Sequence, residues 1–168
     1  MAICLTSPHG PIGPVVTCAT ASGFAGMPPI VIDTREQRPY AFPGAVPGAL
    51  PTGDYSLLGY EDQVAVERKS KSDAYSSLGR DRARFRREAE RLGAMPFGAI
   101  VVEAGTVDFL RPPPFSQLAP TAALHSLLSW SVRFRLPVFF ADGREHGAMI
   151  TLQLLHKFWY HHGEGARG

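Results

Sequence analysis

A chain of 168 residues with 45% hydrophobic and 19% charged residues has the composition of one soluble globular domain, long enough to bury a real core. That balance excludes a disordered chain. The two cysteines, Cys4 and Cys18, form neither a disulfide framework nor a zinc site, and no apolar run reaches the roughly 18 residues of a membrane span. The net charge of +2 is too small to point to nucleic acid by itself, and no basic stretch followed by an apolar one opens the chain, so a cytoplasmic protein is expected.

Residues 1–28 are rich in Gly, Pro, Ala, Ser and Thr and show no periodicity, which predicts a poorly ordered extension. Met27 stands directly before the first apolar run and is an alternative native start. A domain is expected over 29–162, with a flexible tail at 163–168. Ile30-Val31-Ile32 predicts a buried strand that delivers Asp33, Arg35 and Glu36 at its end. Prolines and glycines make 37–51 a predicted loop. Strands are then predicted over 55–58 and 63–69, joined by a turn at Gly59-Tyr60-Glu61-Asp62. If that hairpin is centred on Tyr60-Glu61, Asp54 lies opposite Glu67, with β-carbons about 5 Å apart.

Ser72 is the predicted N-cap of a helix that runs to about Leu92. Tyr75, Leu78, Phe85, Ala89 and Leu92 form its buried stripe, and Gly79 is a point of weakness. Between Arg80 and Arg91 the chain holds six arginines, and Arg80, Arg84, Arg87 and Arg91 share a flank. Such a flank is either a solvated face or a surface for phosphates. A strand over 99–103, parallel to its neighbours because a helix precedes it, is followed by a proline-rich loop at 111–120. A helix over 121–135 is expected to bury Leu124, Leu127, Leu128 and Ser131. A strand at 137–141 and a last helix over 145–160, burying Ala148, Leu152, Leu155 and Trp159, complete the order. Alternating strands and helices predict a mixed α/β sheet with helices on its faces.

Strand alternation puts Glu67 and Lys69 on one face and Val64, Val66 and Arg68 on the other. An acid and an amine aimed together from a strand end are either solvated surface charges or the partners of a cation and an anionic substrate. Lysine is scarce, occurring only at 69, 71 and 157, so the choice of lysine over arginine at 69 is informative. Asp54, twelve residues and Glu67-x-Lys69 is the spacing of metal-dependent nucleases, because cleavage of a phosphodiester calls for hard divalent ions on carboxylate oxygens. A nearby lysine then orients the attacking water or helps deprotonate it.

The sets Val31-Ile32-Asp33-Thr34-Arg35-Glu36, Gly53-Asp54-Tyr55 and Val66-Glu67-Arg68-Lys69-Ser70-Lys71-Ser72-Asp73, in this order, resemble the nuclease domain of the XPF-type structure-specific endonucleases, which include the archaeal Hef nucleases. The resemblance covers about Ile30 to Tyr160. It implies a restriction-endonuclease-like fold, Mg2+ or Mn2+ dependence and DNA cleavage. Carried onto this chain, it makes Asp54 and Glu67 the central metal ligands, with Asp33 and Glu36 as further acidic members, direct or through water, Asp33 among the metal residues, and Lys69 as the catalytic lysine. Arg68 and Asp73 are supporting, Arg68 because it faces away from Glu67 and Asp73 because it opens the helix. Arg80, Arg84 and Arg87 are the DNA-contacting candidates. Glu88 and Arg84 resemble a Gln and an Arg of the family if two residues are inserted here. Family members carry a tandem helix-hairpin-helix domain that this sequence has no room for, so DNA targeting is expected from a partner or from a homodimer.

The competing reading is a DNA-binding scaffold that has lost its chemistry, a type the same family contains. The presence of Asp33, Asp54, Glu67 and Lys69 argues for the nuclease. His161-His162 is expected to be solvent-exposed, and Glu103 is either structural or a support for the site.

Overall fold

The structure is a computed structural model that describes residues 24, 26–114 and 116–163. The predicted N-terminal extension lies outside the described residues except for Phe24 and 26–28, and the predicted tail does so except for Gly163. The elements run β1 (Ile30–Asp33), β2 (Val46–Gly48), β3 (Tyr55–Leu57), β4 (Val64–Lys69), α1 (Lys71–Leu78), α2 (Arg82–Gly93), β5 (Phe97–Val102), α3 (Thr106–Phe109), α4 (Pro120–Phe134), β6 (Val138–Phe140) and α5 (Arg144–His162). One sheet of order β2-β1-β3-β4-β5-β6 forms the middle layer. β4, β5 and β6 are mutually parallel, and β3 is antiparallel to both β1 and β4.

β-Branched and apolar residues on both faces of the central strands explain the two packed layers. Ala65, Ile100 and Val102 point toward α1, α2 and α4, where they meet Tyr75, Leu78, Phe85, Leu92 and Leu127. Val64, Val66, Ala99 and Val101 point the other way and meet Leu155 and Phe158 of α5. The alternation of β4 therefore separates two environments, one on each side of the sheet. Among the described residues no helix is long and apolar enough to cross a membrane.

Several sequence expectations change. The stretch 37–51 is not loop throughout, because Val46–Gly48 adds to β1 as a parallel edge strand, a place that tolerates Pro47. The helix after β4 is capped by Ser70, not Ser72, and it breaks at Gly79 into α1 and α2. Asp73 donates its N–H to Ser70 Oγ (3.2 Å) while its carboxylate accepts from the same hydroxyl (2.6 Å), so it does help to start α1. The buried face of α4 is Ala123, Ser126, Leu127 and Trp130, and Leu128 is 49% exposed. On α5 the fully buried positions are Gly147, Thr151, Leu155 and Phe158, one step round from the expected stripe. Both helices carry apolar residues on more than one face, which leaves hydrophobic periodicity unable to choose the inner one.

Gly147 shows how closely α5 seats. A Cβ there would lie 2.4 Å from the hydroxyl oxygen of the buried Tyr40. Gly147→Ala is expected to cost about 1–3 kcal/mol, measured by chemical denaturation. A loss below about 0.5 kcal/mol would mean that α5 can move off Tyr40 freely.

Candidate active site

The β3–β4 hairpin brings the first two acids together. Tyr55 pairs with Val66, the register of the centred turn, and beyond it the N–H of Asp54 donates to Val66 O (3.0 Å), which leaves Asp54 close enough to Glu67 for its charge to act there. Gly53, at φ 75°, makes the entry to this strand possible, and a Cβ there would also press on Ala65 at 2.9 Å. Asp54 Oδ2 accepts the backbone N–H of Arg68 at 2.8 Å. Glu67 is 2% exposed: its Oε1 accepts from Lys69 Nζ, and its buried Oε2 has no hydrogen-bond partner among the described residues. Lys69 is closed in by α2, with the Phe85 ring centroid 4.9 Å from Nζ and Glu88 Oε2 at 4.0 Å.

Burial dominates the electrostatics. It pushes the Asp54 carboxyl up to about 7, with the charges of Glu36 and Glu88 adding to it and the Arg68 N–H and Lys69 opposing it. Glu67 is pushed well above the usual carboxylate range, by burial first and then by Asp54. Burial alone would pull Lys69 down, but Glu67, Glu88 and Asp54 outweigh it and hold the ammonium at about 12.

The other predicted site residues divide. Asp33 is not brought in as a free ligand: its two oxygens accept four N–H donors, three from Arg35 (2.7–2.9 Å) and one from Leu50 (2.8 Å). Those bonds outweigh burial and hold Asp33 below the ordinary carboxylate value. Asp33 thus anchors Arg35, whose side chain is 72% exposed. Glu36 stands 3.5 Å from the Arg68 guanidinium. Its carboxylate also accepts the Arg38 N–H at 2.6 Å. Arg68 lies on the α5 side of the sheet, as strand alternation requires, in a bidentate pair with Glu103 (2.8 and 2.8 Å). Glu103 in turn lies 3.5 Å from Arg144 at the start of α5. Arg80, Arg84 and Arg87 are exposed, the last two along α2. His161 and His162 are exposed too. Sequence reading passed over Arg35, although an arginine two residues beyond an acid at a strand end was the available signal. Glu88, set apart there only by its likeness to a family Gln, lies beside Lys69 across the sheet–helix contact.

A family model for the ERCC4 domain matches residues 32–154. The chain belongs to the ERCC4-domain family. Two solved structures of XPF from Aeropyrum pernix, one of them in complex with DNA, are 23% identical to it over 77% of its length, with TM-scores of 0.60 and 0.61. The match covers 61% and 64% of those chains, so this chain spans less than two thirds of either. No curated protein matches it. The likeness to these structures shows the fold, which is the restriction-endonuclease-like one.

The donor set fits a divalent cation. The half-buried Asp54 and the buried Glu67 lie close together, both reluctant to ionise, and among the described residues Glu67 Oε2 has no hydrogen-bond partner. Among the described residues no three acidic, His or Cys side chains converge into a complete cage. Magnesium is suited to that, since it is held by one or two carboxylates and completes its shell with waters and substrate phosphates.

Proposed function

We propose that this ERCC4 domain is a divalent-metal-dependent DNA endonuclease acting in repair, recombination or replication. The observation that carries the reading is the neighbouring pair Asp54 and Glu67, with the orphan Glu67 Oε2 beside a lysine that stays charged. Asp54 and Glu67 would hold Mg2+ or Mn2+, which when bound lowers the pKa of a water and stabilises the charge growing on the phosphorus. Lys69 orients that water. Arg35, fixed by Asp33 and reaching into solvent, meets the phosphate from outside, and Arg80, Arg84 and Arg87 track the DNA backbone. One of the similar XPF structures is described as a DNA complex, which supports DNA as the polymer. A homodimer, or a partner bringing a DNA-targeting module, would choose the DNA shape.

Incubation with duplex, single-stranded, flapped and forked DNA, with Mg2+ or Mn2+ and with chelator, tests this directly. Metal-dependent cutting is expected. Binding without cutting of any substrate would replace the nuclease with the scaffold.

The acids also set a pH dependence. Between the ordinary 3.8 of an aspartate and about 7, the folded chain keeps a proton on Asp54 that the unfolded chain releases, and Glu67 acts in the same direction. Raising the pH through that window therefore destabilises the metal-free protein. A cation reverses this by replacing the protons, so Mn2+ is expected to raise the melting temperature more at about pH 8 than at about pH 5.5. An equal rise at both would show that the cation binds elsewhere.

A further inference from the structure

The Lys69 ammonium has two carboxylates within reach, on different elements. Its Nζ donates to Glu67 Oε1 on its own strand, and Glu88 Oε2 on α2 stands at 4.0 Å. Phe85 lies three residues before Glu88 and so on the same face of α2, with its ring 4.9 Å from Nζ. The lysine is thus confined, its side chain 15% exposed, between a strand carboxylate, an aromatic face and a helix carboxylate. Glu88 is 26% exposed, and among the described residues its one ion pair is with Lys69.

On the reading that Asp54 and Glu67 hold a divalent cation, this arrangement contains a conflict. The carboxylate that must bind the cation is the one that Lys69 already occupies. A divalent charge drawn onto Glu67 repels an ammonium on the same group. We propose that Glu88 is a positioning residue that receives the Lys69 ammonium when a divalent cation takes Asp54 and Glu67. A movement of about 1 Å brings Nζ into hydrogen-bonding reach of Glu88, with no change of backbone. The Phe85 face stays beneath the ammonium at both stations. Cation loading and lysine placement are then one event: Lys69 leaves Glu67 only when the cation arrives, and it halts beside the site rather than in solvent.

Calorimetric titration of the DNA-free full chain with Mn2+ tests the role through a double-mutant cycle. Glu88→Gln is expected to weaken Mn2+ binding about tenfold, because the displaced ammonium has nowhere to go and competes for Glu67. Lys69→Met, which removes the competitor, is expected to bind Mn2+ at least as tightly as the parent. In the Lys69→Met background, Glu88→Gln should change affinity by less than about twofold. Glu88→Asp, which keeps the charge, should restore affinity to within about threefold of the parent. Unchanged affinity in Glu88→Gln alone overturns the role. Equal weakening in both backgrounds overturns it too, since Glu88 would then touch the cation itself. Failure of the metal reading looks different: the unaltered chain binds no Mn2+, or binding survives both Asp54→Asn and Glu67→Gln, and the Glu88 role falls with it.

Discussion

Glu67→Gln and Asp54→Asn are each expected to lower metal-dependent cleavage by at least about a thousandfold and, in the same proteins, to raise the melting temperature of the metal-free chain near about pH 7.5. The first effect follows from removing half of a two-carboxylate site, worth about 4 kcal/mol of barrier at that loss. The second follows from burial. Each acid is pushed upward by desolvation, and nearby carboxylates add to it, Asp54 for Glu67 and Glu36 with Glu88 for Asp54. An amide has no charge to bury, and a Gln at 67 can still accept from Lys69 while its nitrogen faces Asp54. Affinity for DNA in chelator should stay within a few-fold of the parent, since these acids repel phosphate rather than attract it. Three readouts on each variant suffice: cleavage with Mg2+ or Mn2+, DNA affinity without metal, and a thermal melt. Full cleavage by either would remove it from the ligand set, and a lowered melting temperature would mean that packing, not charge, governs the pair.

Arg68→Met is expected to do nearly the reverse. The side chain is buried in a bidentate pair with Glu103 and is approached by Glu36, so its loss leaves the Glu103 carboxylate without its closest cation, with Arg144 at 3.5 Å. Breaking a pair of this kind costs about 3 kcal/mol. For a chain of this size that is a fall of roughly 6–12 °C in melting temperature. The backbone N–H that holds Asp54 survives the substitution, and Glu67 and Lys69 stand on the other face of the sheet. Cleavage per folded molecule, measured well below the melting range, should therefore stay within about tenfold of the parent. Arg68→Met combined with Glu103→Leu should recover at least half of the lost stability, because exchanging both members of a buried pair for apolar groups leaves no stranded charge. If the double variant is no more stable than Arg68→Met alone, the pair is not what Arg68 supplies.

The contrast between these two results tracks what could be read from the chain. Period-two alternation in Val64–Lys69 was enough to place Glu67 with Lys69 and to turn Arg68 away from them, and turn chemistry at Gly59 was enough to bring Asp54 close to Glu67. The same local patterns gave the long helices and the other strands except β2, with α1 and α2 read as one and α3 unread. What local pattern could not supply were the long-range partners. Glu103 lies 35 residues from Arg68, and Leu50 lies 17 from the carboxylate of Asp33 that it binds. Nothing in a window of ten residues announces such a bond. Asp33 accordingly read as one more free acid, although its lone pairs are committed to Arg35 and Leu50. Glu88 stood out by resemblance alone, and its contact with Lys69 was illegible for a related reason: only the packing of α2 against β4 turns it that way.

The alternation of β4 also has a bearing on how such a domain can be altered. Glu67 and Lys69 belong to one compartment and Arg68, between them, to another, with a sheet's thickness of apolar side chains insulating the two. Inserting or deleting a single residue anywhere between Gly59 and Glu67 would exchange the compartments, delivering the arginine to the chemistry and the carboxylate to the scaffold. Point substitutions on the α5 side carry no such penalty. The three-letter run is therefore rigid toward changes of length and permissive toward compensated changes behind the sheet, so a thermally hardened variant is best sought at 68, 103 and 144, from where the reactive compartment is reached only through the charge of Glu36.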